Sequence, residues 1–252
     1  VRNEEWQIVC SVPVLQEVMR TYHRRPGKYD EMRNLVFDAV NTGWLIDLNF
    51  RYIAELHNKG PLPITDRYLN REKRKQAKHL SAKRRVLLEV DEIAYSEALN
   101  FKAVHEDIRS GIYKHFGSLN GNPPKGMAQN YNDWFKNERD QEKWILGIIQ
   151  GGIAKGKIPA KIAEGLKPSY DNCPSLWQYV SFSQVKIKLN VGGHEKIKDS
   201  DKVDADIYSC SPYYDVLYTE DSEFTKAINL IPENKIKVCN FEDLMSRLLS
   251  LE

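Results

Sequence analysis

Long apolar runs are absent. No stretch of the 252-residue chain approaches the roughly 18 apolar residues that a membrane-spanning helix needs. The opening VRNEEWQ lacks the apolar core of a signal peptide. A cytoplasmic protein with no membrane association is therefore expected. Cysteine is scarce and dispersed: Cys10, Cys173, Cys210 and Cys239 form no CxxC pair and have no histidine at zinc spacing. They read as small buried apolar residues in a reducing compartment, not as a zinc site or a disulfide frame. The six histidines form no HExxH pair. Net charge is nearly absent too, since 37 basic residues face 35 acidic ones and leave +2. Composition alone thus gives no reason to expect a nucleic-acid partner, and the distribution of charge has to decide. With 41% hydrophobic residues the chain can bury a sizeable core.

Glycine and proline are missing from Thr65 to Ser110. Between the break at Gly60-Pro61-Leu62-Pro63 and the loop Gly117 to Gly126, one or two long helices are expected. Val86, Val90, Ile93 and Glu97 follow the helical spacing i, i+4, i+7, i+11. The first part of this segment is strongly basic. Arg67, Arg71, Lys73, Arg74, Lys75, Lys78, Lys83, Arg84 and Arg85 stand against the single acid Glu72. Such a run neutralises backbone phosphates with salt-dependent affinity, and a solvated helix face is its plainer account. Tyr68 and His79 are of the type that stacks on bases.

The two ends read differently. Ile8, Val9 and Cys10 form a short strand pattern, followed by a cap at Ser11, Pro13 in the first helical turn, and an apolar face of Val14, Leu15 and Val18 that carries Glu17. Gly43 to Leu56 reads as helix, or as a strand leading into one. Ser175 to Val191 carries both periods, and helix is the preferred reading. Beyond Gly192-Gly193, a helix over 204–213, a strand over 215–218, a helix over 222–230, a strand over 235–239 and a final helix over 241–249 alternate. Short apolar strands alternating with helices predict a parallel sheet. The expected fold class is α/β: one domain over 1–58 and 170–252, split by a helical insertion over 59–169.

The C-terminal fifth is also acidic, with Asp199, Asp201, Asp204, Asp206, Glu220 and Asp221 on either side of a helix-and-strand pattern. Each acid alone is equally well explained as a helix cap or turn residue. Clustered carboxylates repel one another and resist losing water, so together they call for a cation. Carboxyl ends of parallel strands share one edge of a sheet, and Glu17, Asp204 and Asp221 would meet there.

VLYTEDSEF resembles the terminal motif of PIN-domain nucleases, a strand closed by Thr and Asp with an aromatic residue beyond. SDKVDADIYSCSPYYD is similar to that family's acidic helix, with Asp204 fifteen residues before Thr219. IVCSVPVLQEV resembles its second strand and following helix, where the matching acid is Glu17. The likeness spans residues 6 to 20 and 199 to 249. It implies a PIN-like parallel sheet and a Mg²⁺- or Mn²⁺-dependent nuclease that hydrolyses phosphodiester bonds, in RNA before DNA, with an antitoxin or defence partner. Asp204 and Asp221 would ligate the metal, with Asp201 as the alternative helix acid. Glu17 would ligate or orient the attacking water, and Thr219 would hydrogen-bond a ligand carboxylate or a phosphate. The family's first metal-binding Asp lies on a strand upstream of the Glu motif, and only five residues precede Trp6 here. Asp38 is a stand-in only under a rearranged topology, so an inactive PIN-like nucleic-acid or protein-binding module is the rival expectation.

Overall fold

A computed structural model describes residues 9–11, 14–15, 18–20, 22, 25–39, 43–45, 48–63, 66–115, 141–192, 196–232, 234–240, 242–243 and 245–246. In chain order its elements are β1 (Val9–Ser11), α1 (Pro26–Ala39), β2 (Gly43–Leu45), α2 (Leu48–Asn58), α3 (Arg71–Leu80) and α4 (Arg84–His115). They continue with α5 (Gln141–Ala154), α6 (Ala160–Ala163), α7 (Pro174–Val191), α8 (Asp201–Tyr208), a 3₁₀ turn (Ser211–Tyr213), β3 (Val216–Tyr218), α9 (Ser222–Asn229) and β4 (Lys237–Cys239). No described helix is long and apolar enough to cross a membrane.

The expected α/β sheet is not what these elements build. The described chain is mostly helical, and its strands form two separate parallel pairs of three residues each. In one, Val9 lies opposite Gly43 and Ser11 opposite Leu45; in the other, Val216 lies opposite Lys237 and Tyr218 opposite Cys239. The strands themselves fall where the sequence pattern put them. The PIN-like sheet fails because β3 is only half-buried along its length and β4 buries only Cys239, so neither is the core strand of a covered parallel sheet.

The core is organised by a helix instead. Fifteen of the eighteen residues of α7 are buried, with Pro174 in its first turn, where the missing N–H costs nothing. A helix buried on all sides belongs to the centre of a fold. On one side Phe182 and Val185 meet Phe101 of α4, Tyr208 of α8 and Phe224, Ala227 and Ile228 of α9. Phe182 and Phe224 make an edge-to-face pair with ring centroids 5.5 Å apart. On another side Leu176 and Val180 pack with Tyr52 and Leu56 of α2 and Ile145 and Ile149 of α5. Elements from within 59–169 and from outside it therefore share one helix as their core. Gly152, near the end of α5, allows Ile158 to fold back over it, because a Cβ there would lie 2.5 Å from the Ile158 Cδ1.

A buried polar network ties α2 to this core. Arg51 and Glu55, one turn apart on α2, are both fully buried. The Arg51 guanidinium donates to Ser175 Oγ and to Ser209 Oγ, each at 2.7 Å. Glu55 accepts from the Ser175 backbone N–H at 3.0 Å, from Ser175 Oγ at 2.5 Å, and from the Tyr213 hydroxyl. Burial pushes the Glu55 carboxyl above its ordinary value, while these donors and Arg51 oppose the shift. Removing one charge of such a network leaves the other groups buried without partners, at a cost of about 3–5 kcal/mol. Arg51→Met and Glu55→Leu are each expected to lower the unfolding free energy measured by urea titration by about 3–5 kcal/mol. The double variant should recover part of the loss, and simple additivity of the two losses would show that the two side chains do not act as a unit.

Candidate functional site

The acids singled out from the sequence are engaged in the fold. Asp201, the first residue of α8, is 2% exposed. Its Oδ1 lies 2.9 Å from Lys186 Nζ of α7, itself 3% exposed, and its Oδ2 accepts from the Lys198 backbone N–H at 2.7 Å. Asp204 sits half-buried one turn further along α8, with its backbone N–H bonded to the Ser200 carbonyl at 3.0 Å. Asp221 is the exposed N-cap of α9, and its Oδ1 accepts from the backbone N–H groups of Glu223 and Phe224 at 2.9 Å each. Thr219 Oγ1 accepts from the Asp221 N–H at 3.1 Å, and the Thr219 N–H prolongs the β3–β4 pair to the Cys239 carbonyl. Glu17 lies outside the described residues. Asp38 is exposed on α1 and pairs with Lys78 at 3.4 Å. Among the described residues, no three His, Cys, Asp or Glu side chains converge as a metal-binding group.

An open depression of about 550 Å³ lies at the carboxyl ends of β3 and β4, the edge where parallel strands place ligands. Thr219, Glu220, Ser222, Thr225, Lys226 and Asn240 line it, and Asp221 turns its carboxylate to the backbone of α9. Two residues that decide the acidic region escaped sequence reasoning. Lys186 stands among Ser181, Ser183, Gln184, Lys188 and Asn190 in VSFSQVKIKLNV, so no local signal marks it, and His105 is marked only by its place one turn after Phe101 on a long helix. His105 is 4% exposed; its Nδ1 is 2.7 Å from the Phe101 carbonyl, and its ring stacks on Phe101 at 3.9 Å beside the Lys186–Asp201 pair.

The basic segment divides in two. Some cations hold the fold. Arg67 donates to the Leu62 carbonyl at 2.8 Å and lies over the Tyr213 ring; Arg74 donates to the Phe37 carbonyl at 3.2 Å; Lys78 reaches Asp38; Arg85 pairs with Glu89 at 2.9 Å. Arg71, Lys73, Lys75 and Lys83 are exposed and have no ion-pair partner among the described residues. The side chain of Arg84 is outside the described set. Helix α3 carries no buried residue at all. It is held by the Asn70 side chain, which caps it by accepting from the Lys73 N–H at 2.8 Å, and by Tyr29, whose hydroxyl donates to the Ser81 carbonyl at 2.5 Å. Tyr68 is half-buried against Leu62, Cys210 and Tyr213, and His79 is exposed. No family model, curated protein or solved structure matches the chain.

Two outcomes follow for stability. Asp221→Ala should cost about 1 kcal/mol, while Asp221→Asn, an equally good cap, should cost little; thermal unfolding of both variants checks this, and equal large losses would refute capping. Burial holds the His105 imidazole below its ordinary value, so the unfolded chain takes up a proton that the folded chain does not as pH falls below about 6.5. Stability contributed by neutral His105 is therefore present above that pH and lost below it. The slope of the urea midpoint between pH 7 and pH 5 should flatten in His105→Gln.

Proposed function

We propose that the chain is a nucleic-acid-binding protein whose contact surface is α3 and the turn that follows it. The observation that carries the reading is the set of four exposed cations with no ion-pair partner among the described residues: Arg71, Lys73 and Lys75 on α3, a helix with no buried residue, and Lys83 in the turn after it. A protein that needed these residues for stability would pair or bury them, as it does Arg67, Arg74 and Lys78. Lysine and arginine that are free to release counterions from phosphates supply sequence-independent affinity. RNA and DNA both offer that backbone. Hydrolysis is left out of this reading because Asp201 is neutralised by Lys186 and Asp221 caps α9.

Fluorescence anisotropy with labelled oligonucleotides tests it. For four phosphate contacts, log K should fall with log salt concentration at a slope of about −3 to −4. The double variant Lys73→Ala/Lys75→Ala should flatten the slope by about 2, and changing all four cations to glutamate should abolish binding at about 150 mM salt. Because none of the four is buried, circular dichroism should show these variants folded. Undiminished binding by the quadruple variant would remove the interface from α3.

A further inference from the structure

Helix α4 buries one row of its side chains and leaves an apolar row beside it uncovered. At about 3.6 residues per turn, successive side chains are set about 100° apart. Leu87, Ala98, Phe101, His105 and Ile112 are buried and fall within a sector of about 60°. Leu88, Tyr95 and Leu99 fall within a second sector of about 40°, roughly 100° round from Leu87. They are 44%, 54% and 45% exposed. Ile93 and Val104 are exposed too, but they lie about 100° round the other way and are not part of this row. Apolar residues scattered singly over a surface are ordinary, whereas three on one line form a patch of the kind that marks a contact. From Leu88 to Leu99 the row runs three turns, about 16 Å. Further along, Tyr113 is buried under the end of α7, where its hydroxyl donates to the Val191 carbonyl at 3.1 Å.

The charge on the row defines what would cover it. Glu92 stands between Leu88 and Tyr95, and Glu106 continues the line beyond Leu99. Both are exposed, and neither has an ion-pair partner among the described residues. Lys102, on the inner edge between Leu99 and Glu106, is half-buried. Glu89, Asp91 and Glu97 are by contrast met by Arg85 at 2.9 Å, Arg20 at 3.5 Å and Lys202 at 3.7 Å. A second copy of the row fits it badly. Parallel pairing sets Glu92 and Glu106 beside their own copies, and antiparallel pairing that matches Leu88 with Leu99 sets Arg85 against Lys102. An extended peptide needs a sheet edge for its backbone, and α4 offers side chains only. Side-chain ridges of a helix are met by the grooves of another helix.

We infer that the row Leu88, Tyr95 and Leu99 docks an amphipathic helix of a partner protein, with apolar anchors at i, i+4 and i+7 and lysine or arginine on the flanks facing Glu92 and Glu106. The row lies on a different helix from the α3 cations, so its failure would leave the nucleic-acid reading standing. Fluorescence anisotropy on the full chain tests it with two labelled peptides of three heptads each. Both carry leucine at a and d; one has lysine and the other glutamate at e and g. The lysine peptide should bind about tenfold more tightly than the glutamate peptide. Tyr95→Ser and Leu99→Ser should each weaken it about tenfold, while Ile93→Ser, on the other flank, should change nothing. Glu92→Lys/Glu106→Lys should reverse the preference between the peptides. All these positions are exposed, so circular dichroism should show the variants folded. Failure of both peptides to bind, equal binding of both, or lysine-peptide binding that survives Tyr95→Ser and Leu99→Ser would each overturn the inference. So would a chain that sediments as a dimer and becomes monomeric in Tyr95→Ser, because the row would then belong to a second copy.

Discussion

Burying α7 on every side imposes the constraint that shapes this protein, because α7 is not an apolar helix. It takes Ser175, Gln178, Ser181, Ser183, Gln184, Lys186 and Asn190 into the interior along with its leucines and valines. A buried polar group without a partner is costly, so neighbouring elements must arrive in positions that satisfy these side chains. Ser175 is met by Arg51 and Glu55 of α2, Ser181 by Gln141 of α5, and Lys186 by Asp201 of α8. Apolar packing alone would let α2, α5 and α8 slide along α7. These partners fix the position of each along its axis.

The same requirement explains the acidic region. Clustered carboxylates do need cations, and here the described ones are met by lysines of the chain itself. Lys186 neutralises Asp201, Lys202 bonds Asp206 and lies 3.7 Å from Glu97, and Lys198 bonds Glu223. The exposed Asp221 is met by two backbone N–H groups at the positive end of α9. What one-dimensional spacing does not contain is that Lys186 belongs to another helix and arrives from outside the acidic run.

Elements were more legible than their assembly. The three-residue strands β3 and β4 and the helices between and before them follow from turn residues and short apolar runs, whereas the break between α3 and α4 at Ser81 to Lys83 carries no Gly or Pro and leaves one helix or two open in the sequence. Two parallel pairs do not make a sheet, however, and no local pattern distinguishes three paired residues from the core strand of a larger one. Helical spacing also does not name the buried face of α4. Val86, Val90, Ile93 and Glu97 match helical spacing, yet Ile93 is 58% exposed and the buried row is Leu87, Ala98, Phe101 and His105. Apolar residues lie on several sides of α4, so periodicity has no single maximum and packing against α7 and α8 selects the row. A histidine on that row reads as polar in any pattern count.

Helix α3 is the exception to a fold otherwise governed by burial. Ten residues are too few for a stable isolated helix in water. Arg71 and Lys75 are like-charged neighbours at i, i+4, as are Arg74 and Lys78, and each such pair disfavours the helix by a few tenths of a kcal/mol. The repulsion is held by the Asn70 cap, the Tyr29–Ser81 bond and the Arg74 and Lys78 contacts to α1. The supports therefore lie at the ends of the helix and on the side that meets α1, and the side chains of Arg71, Lys73 and Lys75 take no part in them. A polyanion beside these cations would relieve the repulsion that these supports oppose, so its binding would be linked to the stability of the helix.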